Sequence, residues 1–151
     1  MLAVLAAFAA LWNSRSVSAI SDEEGKLHTG MFGLAPQQTA RLNLVHIGDP
    51  NENPAPCAAE MVFYDGFGNR LAQSRVQLRA GESALLDLQH QQLGRAGRVQ
   101  VRAEWVGFNP QPDPPGRRFG KCLGTAEVFD DVTGKTTLVI GNPEDLPPPR
   151  R

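Results

Sequence analysis

The chain has 151 residues, enough for one domain of ordinary size. Fifteen basic against sixteen acidic side chains leave a formal charge of −1, which excludes a strongly basic nucleic-acid binder and an acidic disordered chain as whole-chain descriptions. Fifteen Gly, twelve Pro and only 7% aromatic residues point to many turns around an aliphatic core rather than to long helices.

The first element is an address. Leu2 to Trp12 is an unbroken apolar run, and eleven helical residues rise only ~16 Å, about half the hydrocarbon thickness of a bilayer. Polar Asn13 to Ser16 and then Val17-Ser18-Ala19 follow, the small-residue pattern of a signal-peptidase site. Cleavage is therefore expected after Ala19, with residues 1–19 as signal peptide and no stable membrane span afterwards. No Lys or Arg precedes the apolar run, so a retained N-terminal anchor or a buried helix is the competing reading. Without residues 1–19, which include Arg15, the net charge becomes −2.

Residues 20–26 form a polar lead-in, and short segments separated by turn residues follow. Thr29 to Leu34 is a first strand. In Arg41 to Ile47, Leu42, Leu44 and His46 share one face and Asn43 lies opposite. Ala58 to Asp65 alternates again, and Asp65-Gly66-Phe67-Gly68-Asn69 supplies a hairpin turn into Arg70 to Leu78. Ala80-Gly81-Glu82 turns the chain into Ser83 to Leu88, and Leu85 to Leu93 is the one stretch that suits a short helix. Arg98 to Val106 is the cleanest period-2 pattern, with Val99, Val101, Ala103 and Trp105 on one face. Gly124 to Phe129 and Lys135 to Ile140 flank a second tight turn, Asp131-Val132-Thr133-Gly134. The expectation is an all-β, antiparallel sandwich of seven to eight strands over residues 27–142, then a Pro-rich disordered tail at 143–151.

This rhythm, over residues 27–142, resembles the immunoglobulin-like and fibronectin-III-like sandwiches of exported bacterial proteins. Trp105 between Cys57 and Cys122 meets the immunoglobulin pattern only loosely. The peptide Phe108-Asn109-Pro110-Gln111-Pro112-Asp113-Pro114-Pro115 is similar to one in secreted bacterial proteins of uncharacterised function, and that similarity brings no activity with it.

Two cysteines in an exported chain favour a disulfide, Cys57 to Cys122, closing a loop of about 65 residues worth ~4 kcal/mol in the chain-entropy picture. The Gly107 to Gly120 stretch is the strongest candidate for partner binding. Pro110, Pro112, Pro114 and Pro115 hold their predecessors extended, Phe108 and Phe119 bracket the segment, and Arg117 and Arg118 add charge. Such an arm loses little entropy on docking, although prolines also serve simply to stiffen a long connection and block edge pairing.

Asp49, Asn51, Asn53 and Glu60 match four calcium-loop positions, but Pro54 stands where the loop needs a permissive residue. No metal site and no cofactor are assigned. His46 reads as a packing residue, and Asp65, Asp87, Asp130 and Asp131 read mostly as turn residues. Arg70, Arg75, Arg79, Arg98 and Arg102 read as a solvated sheet face rather than an anion-binding patch. These residues imply a secreted or periplasmic, non-enzymatic structural or protein-interaction module whose partner is a protein or a second copy, not nucleic acid. The alternatives are a sandwich binding carbohydrate or calcium and, more distantly, a hydrolase.

Overall fold

The computed structural model describes residues 16–18, 20–21, 26–48, 51, 56–107 and 122–141. Among these described residues eleven strands occur in this order: β1 (Ser16–Ser18), β2 (Ile20–Ser21), β3 (Lys26–His28), β4 (Phe32–Leu34), β5 (Gln38–His46), β6 (Cys57–Asp65), β7 (Arg70–Leu78), β8 (Ser83–Gln89), β9 (Val99–Gly107), β10 (Cys122–Asp130) and β11 (Thr136–Gly141). Seven of them have six or more residues. The remaining four, of two or three residues, raise the count above the seven or eight expected. Among the described residues no helix is long and apolar enough to cross a membrane.

Two sheets form, one ordered β1-β11-β10-β5-β8 and the other β2-β3-β9-β6-β7. β4 continues along β9 where β3 leaves off. All pairings are antiparallel except β1 on β11. The period-2 patterns explain which face turns inward. β5 contributes Leu42 and Leu44, β6 Met61 and Phe63, β9 Val101, Ala103 and Trp105, and β10 Ala126 and Val128 to one contiguous core. Val62 is an instructive exception. It lies on the outer face of β6 yet is fully buried, flanked in register by Gln73 and Glu104, whose aliphatic stems are long enough to roof it.

The expected first strand, Thr29 to Leu34, is divided. The Thr29 N–H donates to the Ala103 carbonyl at 2.9 Å, and the Ala103 N–H donates to the Thr29 hydroxyl oxygen at 2.9 Å. A side-chain oxygen thus takes the place of a backbone carbonyl, and a bulge at Thr29–Met31 separates β3 from β4. The helix considered for Leu85 to Leu93 is mostly strand. β8 runs through Gln89, and only His90–Leu93 forms a 3-10 turn, closed by Gly94 at φ 61°.

β7 lies in one sheet and β8 in the other, so the turn between them forms a corner along one side of the sandwich. On the opposite side, β1 and β2 likewise belong to different sheets. The predicted signal-peptidase cut after Ala19 falls between these two short strands.

Candidate functional site

The end of the sandwich where β6 and β10 begin is built around a disulfide. Cys57, fully buried, is bonded to Cys122 with a Cα–Cα separation of 5.9 Å, tying one sheet to the other. The strand period places Cys57 in phase with Ala59 and Met61 on β6, and Cys122, exposed at the start of β10, in phase with Gly124 and Ala126. His46 is Cys122's register partner on β5 and has no exposed surface. Its Nδ1 accepts the Gly48 N–H at 3.2 Å, so it is the hydrogen-bonded packing residue expected. The neighbouring corner is fastened to the same residue: the His46 N–H donates to the Glu82 carbonyl and the Gly81 N–H donates to the His46 carbonyl.

Trp105 completes this frame. Its indole N–H donates to the Asn43 carbonyl at 3.3 Å, and a Cβ on Gly124 would stand 3.1 Å from its ring. Gly124 therefore makes the room in which the indole spans from one sheet to the other. From this frame two connections leave, one after β5 and one between Gly107 and Cys122. The predicted binding segment, Phe108 to Phe119 with Arg117 and Arg118, lies outside the described residues, as do the C-terminal tail and all of the expected signal peptide except Ser16–Ser18, which form β1. On the outer face beside its exit, Ile47 and Leu85 are about half exposed, and Val45 pairs with Leu123 across the β5–β10 ladder.

Of the calcium-loop residues, Asp49 and Asn53 lie outside the described residues. Glu60 sits inside β6 with its carboxylate accepting from the Arg75 guanidinium at 3.1 Å. Asp65 and Asp130 are turn residues as expected. Asp87 is not: it lies within β8 and makes a bidentate pair with Arg41, 2.7 Å at both oxygens. The register explains it, since β5 and β8 set Arg41 and Asp87 directly opposite one another.

Arg70, Arg75, Arg79, Arg98 and Arg102 are all exposed. Arg102 stacks on the Tyr64 ring, its guanidinium carbon 4.8 Å from the centroid. The Arg98 guanidinium lies over Gly33, in the space a Cβ there would take. What sequence reasoning missed is the grouping of Arg70, Arg98 and Arg102 with Arg95, Met31 and Phe67 at the end opposite the disulfide. They come from separate segments that only the register unites.

No family model and no curated protein matches the chain. Among solved structures, the CupB6 tip adhesin from Pseudomonas aeruginosa superimposes with a TM-score of 0.26 and 10% identity, covering 84% of this chain. The chain spans 37% of that protein's length, and a superposition at this level identifies no shared fold.

Proposed function

We propose that the chain is an exported β-sandwich that acts as a structural or protein-interaction module at the cell envelope or outside the cell, without an enzymatic role. The observation that carries this reading is the disulfide between the two sheets at the end from which the connection between Gly107 and Cys122 departs. Disulfides form and persist in oxidising compartments. A covalently closed frame also holds the two ends of a long connection in fixed positions, as a rigid scaffold does for a recognition loop. Phe108 to Phe119 is the contact segment in this reading. The immunoglobulin-like description is supported by Trp105 packed near an inter-sheet disulfide. The edge strands are placed differently from that plan, with β3 and β4 beside β9 and the β10–β11 pair beside β5.

The test exchanges Phe108 to Phe119 for a Gly/Ser linker of equal length in protein made in an exporting host. Cross-linking capture from an envelope extract should be lost while the melting temperature stays unchanged. Retained capture removes the segment from the reading. Thiol titration of the same protein should find no free thiol, and two free thiols would remove the export assignment. Light scattering then separates a self-associating structural protein from a monomeric recognition module.

A further inference from the structure

The end opposite the disulfide carries a different kind of surface. On the outer face of the sheet containing β6, β7 and β9, Tyr64 is flanked in register by Arg70 on one side and Arg102 on the other. That spacing sets the two arginines about two strand widths, ~10 Å, apart. Arg98 lies farther toward the same end, drawn over Gly33. Arg95 is close enough to Asp65 to act on its charge. All four arginines are exposed, and among the described residues Arg95, Arg98 and Arg102 make no ion pair within 4.0 Å.

The acids nearby neutralise only part of this group. Both Asp65 oxygens are occupied by hydrogen bonds from its own turn, to the Phe67 and Asn69 N–H groups and the Asn69 amide. Glu60, farther up the face, accepts from Arg75 and lies 3.9 Å from the Arg70 guanidinium, and Glu104 shares the face with Arg102 without an ion pair to it. At the same end stands an apolar feature. Phe67, at the tip of the β6–β7 hairpin, is 85% exposed, and Met31 is 49% exposed with its methyl reaching toward Gly66.

We propose that this end of the sheet docks on an anionic phospholipid surface, with the arginines taking lipid phosphates and Phe67 entering the boundary between headgroups and acyl chains. The charge selects a polyanionic partner. The exposed phenylalanine selects among polyanions, because a soluble acidic chain is held by the guanidiniums alone, whereas basic side chains around an exposed aromatic residue form an interfacial pairing. Guanidiniums are also suited to bidentate capture of phosphate.

The experiment is co-sedimentation of the full disulfide-bonded chain with phosphatidylcholine vesicles, with and without about one-third phosphatidylglycerol. Both vesicle types are tested with the same protein, so the readout is the increment produced by the anionic lipid. That increment should fall as salt is raised, and the Arg98→Gln/Arg102→Gln variant should reduce it by about fivefold per arginine. Phe67→Ser should reduce binding by about tenfold. Arg79→Gln, at the disulfide end, should leave it unchanged, and all these exposed sites should leave the melting temperature in place. The proposal is overturned by an absent increment or by an increment that survives both the arginine and the phenylalanine changes. It is equally overturned if a soluble polyuronate binds through the arginines without Phe67 while vesicles do not, which would assign the face to an acidic polysaccharide.

Discussion

At one end of the sandwich Cys57 and Cys122 join sheet to sheet covalently, and the connections that leave there are long and rich in proline. At the other, two hairpins close through hydrogen bonds to a single leading aspartate. Asp65 accepts from the N–H groups of Phe67 and Asn69, and Asp130 accepts from those of Val132 and Thr133 and from the Thr133 hydroxyl. Each turn then passes through a glycine with positive φ, Gly68 at 86° and Gly134 at 69°. The covalent end holds its strands in place without demanding any particular turn geometry, so length and composition there are open to functional use. The hydrogen-bonded end is closed by turn geometry itself, so only the outward-facing tips, Phe67 and Val132, are free to carry something else.

Breaking the covalent end should have the largest effect. The Cys57→Ala/Cys122→Ala variant should lose about 2–5 kcal/mol in denaturant unfolding. Hydrogen exchange should quicken first at His46, Cys57 and Leu123, while the amides of the 65–69 turn keep their protection. Uniform acceleration would mean that the two ends are one cooperative unit and would dissolve the distinction.

At the other end, Gly68→Ala forces a Cβ into the left-handed region and should cost about 1–2 kcal/mol. Space is not the obstacle, since nothing stands within 4 Å of a Cβ there, so the whole loss is conformational. Asn at the same position should recover part of it, because its side chain tolerates that conformation better. Equal losses for Ala and Asn would show that the turn conformation is not what the glycine protects.

These contrasts mark how much was legible beforehand. Arg70 to Leu78 was readable to the residue because Asp65-Gly66-Phe67-Gly68-Asn69 fixes where the strand restarts, and both hairpins carry comparable turn chemistry. β5 begins earlier than its alternation suggests, at Gln38, because Thr39 is buried through a bond from its hydroxyl to Asp131 rather than through apolar character. The division of β3 from β4 was hidden because a threonine hydroxyl replaces a carbonyl only once β9 lies alongside. Asp87 was misread because its partner, Arg41, is 46 residues away and only the β5–β8 register brings them together. The disulfide could be inferred because two cysteines allow only one pairing. The gathering of arginines at the same end as Phe67 could not, since strand order, not local pattern, assembles it.

The two turn aspartates also set a pH test. Bonds from the Asn69 side chain, then from the Asn69 and Phe67 N–H groups, hold Asp65 below its ordinary value against the opposing effect of desolvation, with Arg95 assisting. Bonds from Thr133 and Val132 do the same for Asp130. A carboxylate with a lowered folded-state pKa contributes stability that is complete above its unfolded value, near 3.8, and is lost as pH falls through the lower folded value. Stability should therefore decline below about pH 4. Asp65→Asn/Asp130→Asn should flatten that decline, and an unchanged acid limb would place the titrating groups elsewhere.

The smallest effect belongs to neither end. Arg41 and Asp87 lie mid-sheet, each side chain about one-third exposed, and their bidentate contact raises the arginine's pKa above its already high value. Solvent screens such a pair, so a double-mutant cycle with Arg41→Ala and Asp87→Ala should return a coupling of only about 0.5–1 kcal/mol, weaker at high salt. Arg41→Ala should cost more than Asp87→Ala, because the guanidinium also lies 5.0 Å from the Phe129 ring centroid and that contact disappears with it. Neither change should alter exchange at His46 or at the 65–69 turn. Altered exchange at either end would show that strain passes along β5 from the centre of the sheet, and the two ends would then be coupled through the strand that connects them.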